Sequence, residues 1–187
     1  YNLSNDEIHG IQIKVDREKD FQKLLSEYLI SSNLRSNVFI NEKKKYDARI
    51  TVNYNSGNYC IYKAKLRMHG DGIDHIGLVN GKATPSLNVK LKDGNIKNIT
   101  RFILFKPKSR NYENEIFASN LLTHLGFLSP RTFKIKVKIF NQESEFIFQE
   151  SLKKEFLEHN NRIEGPILES QENFKNVHLK LARVSNK

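Results

Sequence analysis

Most of the chain alternates between apolar and polar residues, which is the pattern of strands that bury one face. Such segments occupy residues 8–15, 46–54, 59–68, 84–91, 101–105, 133–140 and 145–148. Asn55-Ser-Gly-Asn58 and Asn141-Gln142 separate two pairs of these segments. Residues of those types accept the backbone angles of hairpin turns. The pattern therefore predicts that hairpins dominate the structure.

Two longer segments carry the spacing of amphipathic helices. In the first, the apolar positions recur every three or four residues at Phe21, Leu24, Leu25, Tyr28 and Leu29. In the second, residues 112–125, they are Ile116, Phe117, Leu121, Leu122 and Leu125, with Gly126 as a stop. Residues 151–160 predict a short third helix. We therefore expect an α+β fold, a mostly antiparallel sheet of hairpins with two main helices.

Composition narrows the class of protein. The 187 residues suffice for one domain, and the single Cys60 excludes an internal disulfide framework or a cysteine metal cluster. No apolar run approaches the roughly 20 residues of a transmembrane helix. A net charge of +10 suits a polyanionic partner. Because the chain begins at Tyr1 rather than Met, we expect it to be a fragment.

The segment Leu-Arg-Met-His-Gly-Asp-Gly-Ile-Asp-His-Ile, residues 66–76, is the clearest pointer to chemistry. A strand ends in a loop of glycines and aspartates, a second strand carries Lys90, and a helix with Glu115 follows. Kinases handle a nucleotide with parts in this order, since a loop covers the phosphates, a cation neutralises them and a glutamate orients the cation. Glycines also let backbone N–H groups approach phosphate oxygens. The order predicts a nucleotide site.

Several candidates in this segment keep a second interpretation. Arg67 and Lys90 are alternative cations for the phosphates, and each also fits the solvent side of an amphipathic strand. Glu115 would be the partner of either cation. Glu150, at the end of a strand, stands where a kinase hinge meets adenine, and it equally fits a charged strand end.

The loop itself is also compatible with an ordinary turn of glycines and aspartates. Its histidines and aspartates, His69, Asp71, Asp74 and His75, make a poor metal cluster, because the spacing is loose and no supporting motif accompanies them. No metal ligand is assigned.

Four segments together resemble the spore-coat CotH-type kinase family. They are LRMHGDGIDHI, PSLNVKLKDG, RFILFKPKSRNYENEIFASNLLTHLGFLSPRTFKIKVKIFNQ and FIFQESLKKEFLEHNNRIEGPIL. Members of that family show a pattern like R-L-K-G-D-x-x-D-H, then S-F-R-I-K-x-K, then a P-x-x-R-x-Y-x-x-E segment and a later E-G-P-I. The resemblance covers residues 65–168, and its specificity lies in the order and spacing of the pieces.

The resemblance implies the N-terminal lobe and hinge of an atypical protein kinase fold. It divides the chain into an N-terminal strand–helix–hairpin region (1–64), the kinase-like segment (65–168) and a polar tail (169–187), expected to begin a truncated C-terminal lobe. It implies ATP and Mg²⁺ as cofactors and phosphoryl transfer to a cell-surface or coat protein, in the bacterial cytoplasm or cell envelope. The expected nucleotide-binding residues are Arg67, Gly70, Asp71, Gly72, Lys90, Glu115 and Glu150. The family's catalytic aspartates belong to the C-terminal lobe, so no catalytic residue is assigned.

The chain departs from the family pattern at two positions that matter. His69 stands where the loop motif has lysine, and Leu87-Asn88 replaces an aromatic–arginine pair, which leaves Lys90 as the cation of that strand. These departures and the net charge favour a rival hypothesis, a non-enzymatic module that binds a surface polyanion or acidic polysaccharide. Nucleic acid is not an expected partner.

Overall fold

A computed structural model describes residues 7–34, 44–70, 73–79, 81–169 and 183–184. The strands, in chain order, are β1 Ile8–Val15, β2 Tyr46–Tyr54, β3 Tyr59–Met68, β4 Ile76–Val79, β5 Lys82–Pro85, β6 Leu87–Leu91, β7 Arg101–Phe105, β8 Thr132–Ile139, β9 Gln142–Glu150, β10 Leu168–Glu169 and β11 Arg183–Val184. The helices are α1 Glu18–Leu34, α2 Asn114–His124 and α3 Lys154–His159. Seven strands form a closed barrel in the order β1-β2-β3-β6-β7-β9-β8, and β4 with β5 and β10 with β11 form separate pairs.

The first strand closes the barrel. β1 pairs antiparallel with β2 and, on its other side, parallel with β8, where Gly10 faces Lys136. A Cβ at Gly10 would lie 3.2 Å from the carbonyl oxygen of Lys136, so glycine permits this close approach. The expectation of an α+β sheet of hairpins, like the N-terminal lobe of an atypical kinase, is therefore wrong. Alternation predicted the strands, but it carries no information about which distant strands pair.

The barrel interior is apolar and closely filled. Inward-pointing residues of β1, β2, β3, β6, β7, β8 and β9 join one hydrophobic cluster. α1 packs against the end of the barrel where β2 begins, and the Phe21 ring lies 4.7 Å from the Tyr46 ring and 5.8 Å from the Phe140 ring. Phe21 and Leu25 are fully buried, and Leu24 and Leu29 are partly buried against the cluster. The prediction of the buried face of the first helix is confirmed.

The second helix differs from its prediction. α2 begins at Asn114, because Asn111 and Tyr112 before it have positive φ angles. It packs on the outside of β8, where the buried Ser119 hydroxyl donates to Thr132 Oγ1 at 3.0 Å. Most of its apolar residues, Phe117, Leu121 and Leu122 among them, are exposed. Helical spacing thus located the helix, but a small polar residue makes its buried contact.

The division of the chain at residues 64 and 65 falls inside β3, and strands from both sides of that point share the barrel. The two predicted hairpins are confirmed as β2–β3 and β8–β9. Among the described residues, no helix has the length and apolar character needed to cross a membrane.

Candidate anion-binding site

One outer face of the barrel, formed by β3, β6 and β7, collects basic side chains from separate parts of the chain. We call it the basic face. Arg67 on β3 lies opposite Asn88 on β6, and Asn88 lies opposite Ile103 on β7. One step further along the strands, the His69 N–H donates to the Ser86 carbonyl at 2.8 Å. We call the end of this face where β3 and β7 finish its upper end. The residues that follow β3 and β7 cover it.

At that upper end, basic side chains surround the buried ring of Phe105. The His69 ring packs edge-on at 4.9 Å between centroids, and the His75 ring lies at 6.3 Å. The Arg110 guanidinium carbon lies 4.0 Å from the centre of the same ring. These three residues, His69, His75 and Arg110, form the basic cluster. Lys106 directly follows β7 beside the cluster, and its Nζ lies over the ring of Phe146 in the barrel interior.

Ser86 ties three of the chain segments of the cluster together. Its hydroxyl accepts the Lys106 backbone N–H at 2.9 Å and lies 3.3 Å from His75 Nδ1. Its own N–H donates to the His75 carbonyl at 2.6 Å. Because Ser86 is completely buried, these hydrogen bonds fix the cluster on the barrel wall.

The charges of the cluster are poorly compensated. Burial holds the pKa of Lys106 below its usual value, and its Nζ lies 4.8 Å from the centre of the Phe146 ring. Arg110 Nε is buried and has no hydrogen-bond partner among the described residues. Within the same residues, no carboxylate forms an ion pair with Lys106 or Arg110. A buried N–H without an acceptor costs about 1–3 kcal/mol, so the cluster favours an anion as its missing partner.

Gly70 is required where β3 runs into the loop. Its φ is +80°, and a Cβ there would overlap the His75 ring. Only glycine combines this conformation with the close approach, so the chain holds His75 against the barrel.

The same loop resembles a nucleophilic triad in outline, but the chemistry does not fit. His75 Nδ1 faces the Ser86 hydroxyl, and its Nε2 lies 3.8 Å from Asp74 Oδ2. A nucleophile must reach a substrate, whereas Ser86 is inaccessible and already accepts a backbone hydrogen bond. Ser86 is therefore structural.

The predicted cation and its glutamate partner lie apart. Lys90 is exposed on the basic face, and Arg67 is half-buried there. Glu115 instead accepts a hydrogen bond of 2.6 Å from Gln149 Nε2. No ion pair joins Glu115 to Lys90 or Arg67 in the part of the chain that the structure describes. One row of outward positions runs across the strands from Arg67 through Asn88 and Ile103 to Gln149, the partner of Glu115. Arg67 and Glu115 therefore lie at opposite ends of this row.

Glu150, the expected hinge residue, is buried and occupied. Its carboxylate accepts two hydrogen bonds from the Arg131 side chain, at 2.9 and 3.0 Å. It pairs with Phe102 near the start of β7, whereas the basic cluster surrounds Phe105 at the end of that strand. The structure thus brings neither Lys90, Glu115 nor Glu150 to the cluster.

Of the expected loop residues, Gly70 borders the cluster, and Asp71 and Gly72 lie outside the described residues. The described histidine, cysteine and acidic side chains form no group of three that could hold a metal ion. The Mg²⁺ ion that the resemblance implies therefore finds no ligand set in these residues, and no step is assigned to it.

Sequence reasoning missed Ser86, Lys106 and Arg110. The available signal was the basic triplet Lys106, Lys108 and Arg110 directly after the apolar β7. His69 had been noted as a departure from the family pattern and His75 as a poor metal ligand, and the structure places both on Phe105.

No protein-family model matches this chain, and no curated protein matches it significantly.

Proposed function

We propose that this protein binds the phosphate groups of a nucleotide at the basic cluster, as the phosphate-holding part of a CotH-like phosphotransferase. The observation that carries the proposal is Arg110. Its guanidinium is stacked on a buried ring, and its buried Nε has no acceptor among the described residues. A phosphate oxygen is a strong acceptor for such a group, because arginine binds phosphate through charged and often paired hydrogen bonds.

The other members of the cluster extend this role. Lys106, whose backbone N–H is bound by Ser86, adds a second positive charge beside the cluster. The rings of His69 and His75 pack on the same Phe105 ring and complete the wall of the site. Gly70 lets the backbone after β3 lie close to the ring of His75.

This assignment moves the proposed phosphate site away from Lys90 and Glu115, which the order of strands and helix had suggested. The site rests on the resemblance of residues 65–168 to the kinase family and on the unsatisfied charge of the cluster, not on a kinase-like fold. The adenine of the nucleotide and the protein phosphoacceptor are given no residues here, and none is assigned to the transfer step.

The experiment is a calorimetric titration of the chain with ATP, with Mg·ATP and with inorganic phosphate. We expect one weak site for each, since a single cluster supplies the contacts. Arg110→Ala should lower affinity by about tenfold or more, because a hydrogen bond to a charged group is worth about 1.5–3 kcal/mol.

Lys108→Ala is the matched control. Lys108 lies in the same turn and is exposed, and its change to alanine removes the same charge. We expect its affinity to stay within about twofold of the unchanged chain, since exposed charges contribute little. Equal losses in both variants, or no heat from any of the three ligands, would contradict the proposal.

A further inference from the structure

Three cations stand side by side lower on the basic face. Lys65 on β3 lies directly opposite Lys90 on β6, and Lys90 lies directly opposite Arg101 on β7. All three alternate with buried residues and so point outward. Neighbouring strands are about 4.8 Å apart, which sets the spacing of this cation row across the strands.

In the described part of the chain the row is compensated only at its two margins, where Asp47 lies beside Lys65 and Glu155 lies near Arg101. Neither Lys65, Lys90 nor Arg101 forms an ion pair there. Asp47, which faces Lys65 from β2, is bound to Lys92 at 2.5 Å, and its pKa is lowered first by the hydrogen bond from Lys92 and further by the charge of Lys65. Glu155, the other carboxylate near the row, accepts the Thr100 hydroxyl at 2.7 Å.

Such an arrangement weakens the folded protein, because like charges directly opposite one another in a sheet repel. A solvent-exposed face does not require three neighbouring cations, since alternating positive and negative side chains would keep it equally soluble. A negatively charged partner removes the repulsion when it binds and gains three favourable contacts at once.

We propose that the cation row binds an acidic polysaccharide. The barrel is closed, so its strands offer no free edge to which a peptide could add a strand. The outward positions next to the row include Asp47, Lys63, Arg67, Asn88, Lys92 and Ile103. None of them is aromatic, so the row lacks the stacking platform of single-stranded nucleic-acid sites. A chain of sugars with carboxylates on its rings needs neither, and Arg67 and Asn88 can donate hydrogen bonds to it.

The site is distinct from the proposed phosphate site in residues and in ligand. It does not depend on Phe105, Lys106 or Arg110. The two proposals can therefore fail separately.

The test is a binding titration of the chain with polygalacturonate at low and at higher salt. We expect binding that weakens with salt, because a polyanion releases its counterions when cations replace them. The triple variant Lys65→Ala, Lys90→Ala, Arg101→Ala should bind at least about tenfold more weakly, with a salt dependence shallower by about two units of log–log slope.

A matched triple variant controls for net charge. Lys14, Lys136 and Lys138 are exposed on β1 and β8, on the opposite side of the barrel. Their change to alanine removes the same charge and should leave most of the affinity intact. Equal losses in the two triple variants would overturn the proposal, because binding would then follow net charge alone.

Two further arms test the choice of ligand. Polyglutamate and single-stranded DNA of matched charge should bind more weakly than polygalacturonate, and tighter binding of either would overturn the polysaccharide assignment. Arg110→Ala should leave polygalacturonate binding unchanged. A thermal melt of each variant checks that it is folded, and the row variant should melt no lower than the unchanged chain.

Discussion

Two regions on the outside of the same barrel differ in how far their cationic side chains are compensated by carboxylates. On the β8–β9 hairpin, Lys136 faces Glu145, Lys138 faces Glu143, Lys134 pairs with Glu113, and Arg131 binds Glu150. On β3, β6 and β7, Lys65, Lys90 and Arg101 face one another, and the basic cluster above them has an unsatisfied guanidinium nitrogen. The first region is compensated residue by residue, whereas the second is compensated only at its margins, by Asp47 beside Lys65 and Glu155 near Arg101.

The β8–β9 hairpin shows that the barrel does not require clustered cations. The hydrogen bond from Lys134 holds the pKa of Glu113 below its usual value, and the same bond raises the pKa of Lys134. Charges of the hairpin are thus satisfied within the protein. The charges of the basic face are less fully compensated, and we propose that an anion from outside completes them.

The largest expected effect falls on the compensated region. Arg131→Ala leaves the buried Glu150 without its partner and should lower the free energy of unfolding by about 3 kcal/mol. Arg101→Ala, the same change in the cation row, should cost less than about 0.5 kcal/mol, since no ion pair is lost. Urea denaturation of both variants measures the contrast. Similar losses would show that the two regions do not differ.

A pair of glycine variants tests the loop beside the cluster. Gly70→Ala should destabilise the protein by about 2 kcal/mol, because the new methyl group adds an overlap with His75 to the cost of a positive φ. It should also weaken phosphate binding. Gly57 has a similar φ of +85° with open space around it, so Gly57→Ala should cost only about 1 kcal/mol and leave binding unchanged. Thermal unfolding and calorimetry measure both quantities, and equal costs would argue against a role for the His75 contact.

Lys106→Met should separate stability from binding. Methionine removes a half-buried charge, so the free energy of unfolding should rise by roughly 1 kcal/mol while phosphate binding weakens. The lowered pKa of Lys106 determines how the stability gain of the variant changes with pH. At neutral pH the Lys106 amine is charged in both the folded and the unfolded protein, and its burial destabilises the folded protein. This destabilisation vanishes as the pH rises toward the pKa of lysine in the unfolded chain, about 10.4.

The stability gain of Lys106→Met should therefore shrink between neutral pH and about pH 10. Urea denaturation at the two pH values measures it. A variant that is destabilised at neutral pH would show that Lys106 is held mainly for the fold.

The smallest effect comes from reversing one charge in each region. Lys90→Glu places a carboxylate between Lys65 and Arg101 and should stabilise the protein by about 0.5 kcal/mol while weakening polygalacturonate binding. Lys136→Glu opposes Glu145 and should destabilise by a similar amount. Thermal unfolding at low salt compares the two. Changes of the same sign would remove the contrast between the regions.

The local parts of this fold follow from sequence, whereas its closure does not. Alternation predicted the strands of both hairpins, and spacing predicted the buried Phe21 and Leu25 of α1. The parallel pairing of β1 with β8 joins residues more than a hundred positions apart, and no local pattern encodes it. The expectation of an α+β sheet of hairpins with two main helices was wrong for that reason.

The candidate site was predictable only in part. The sequence predicted Arg67, Gly70 and Lys90 as parts of one nucleotide site, and these residues do lie on one face. It could not show that Glu115 and Glu150 are engaged by Gln149 and Arg131, because those partners come from other elements. Nor could it show that Arg110 stacks on Phe105, since that contact depends on the turn between β7 and α2.

The most direct test of the central claim is a nuclear magnetic resonance titration of nitrogen-15-labelled protein with Mg·ATP. If the basic cluster binds phosphate, amide signals should shift at His69, Ser86, Phe105, Lys106 and Arg110 and stay still along β8 and the facing half of β9. Shifts confined to the β8–β9 hairpin, or no shifts at saturating nucleotide, would contradict the account.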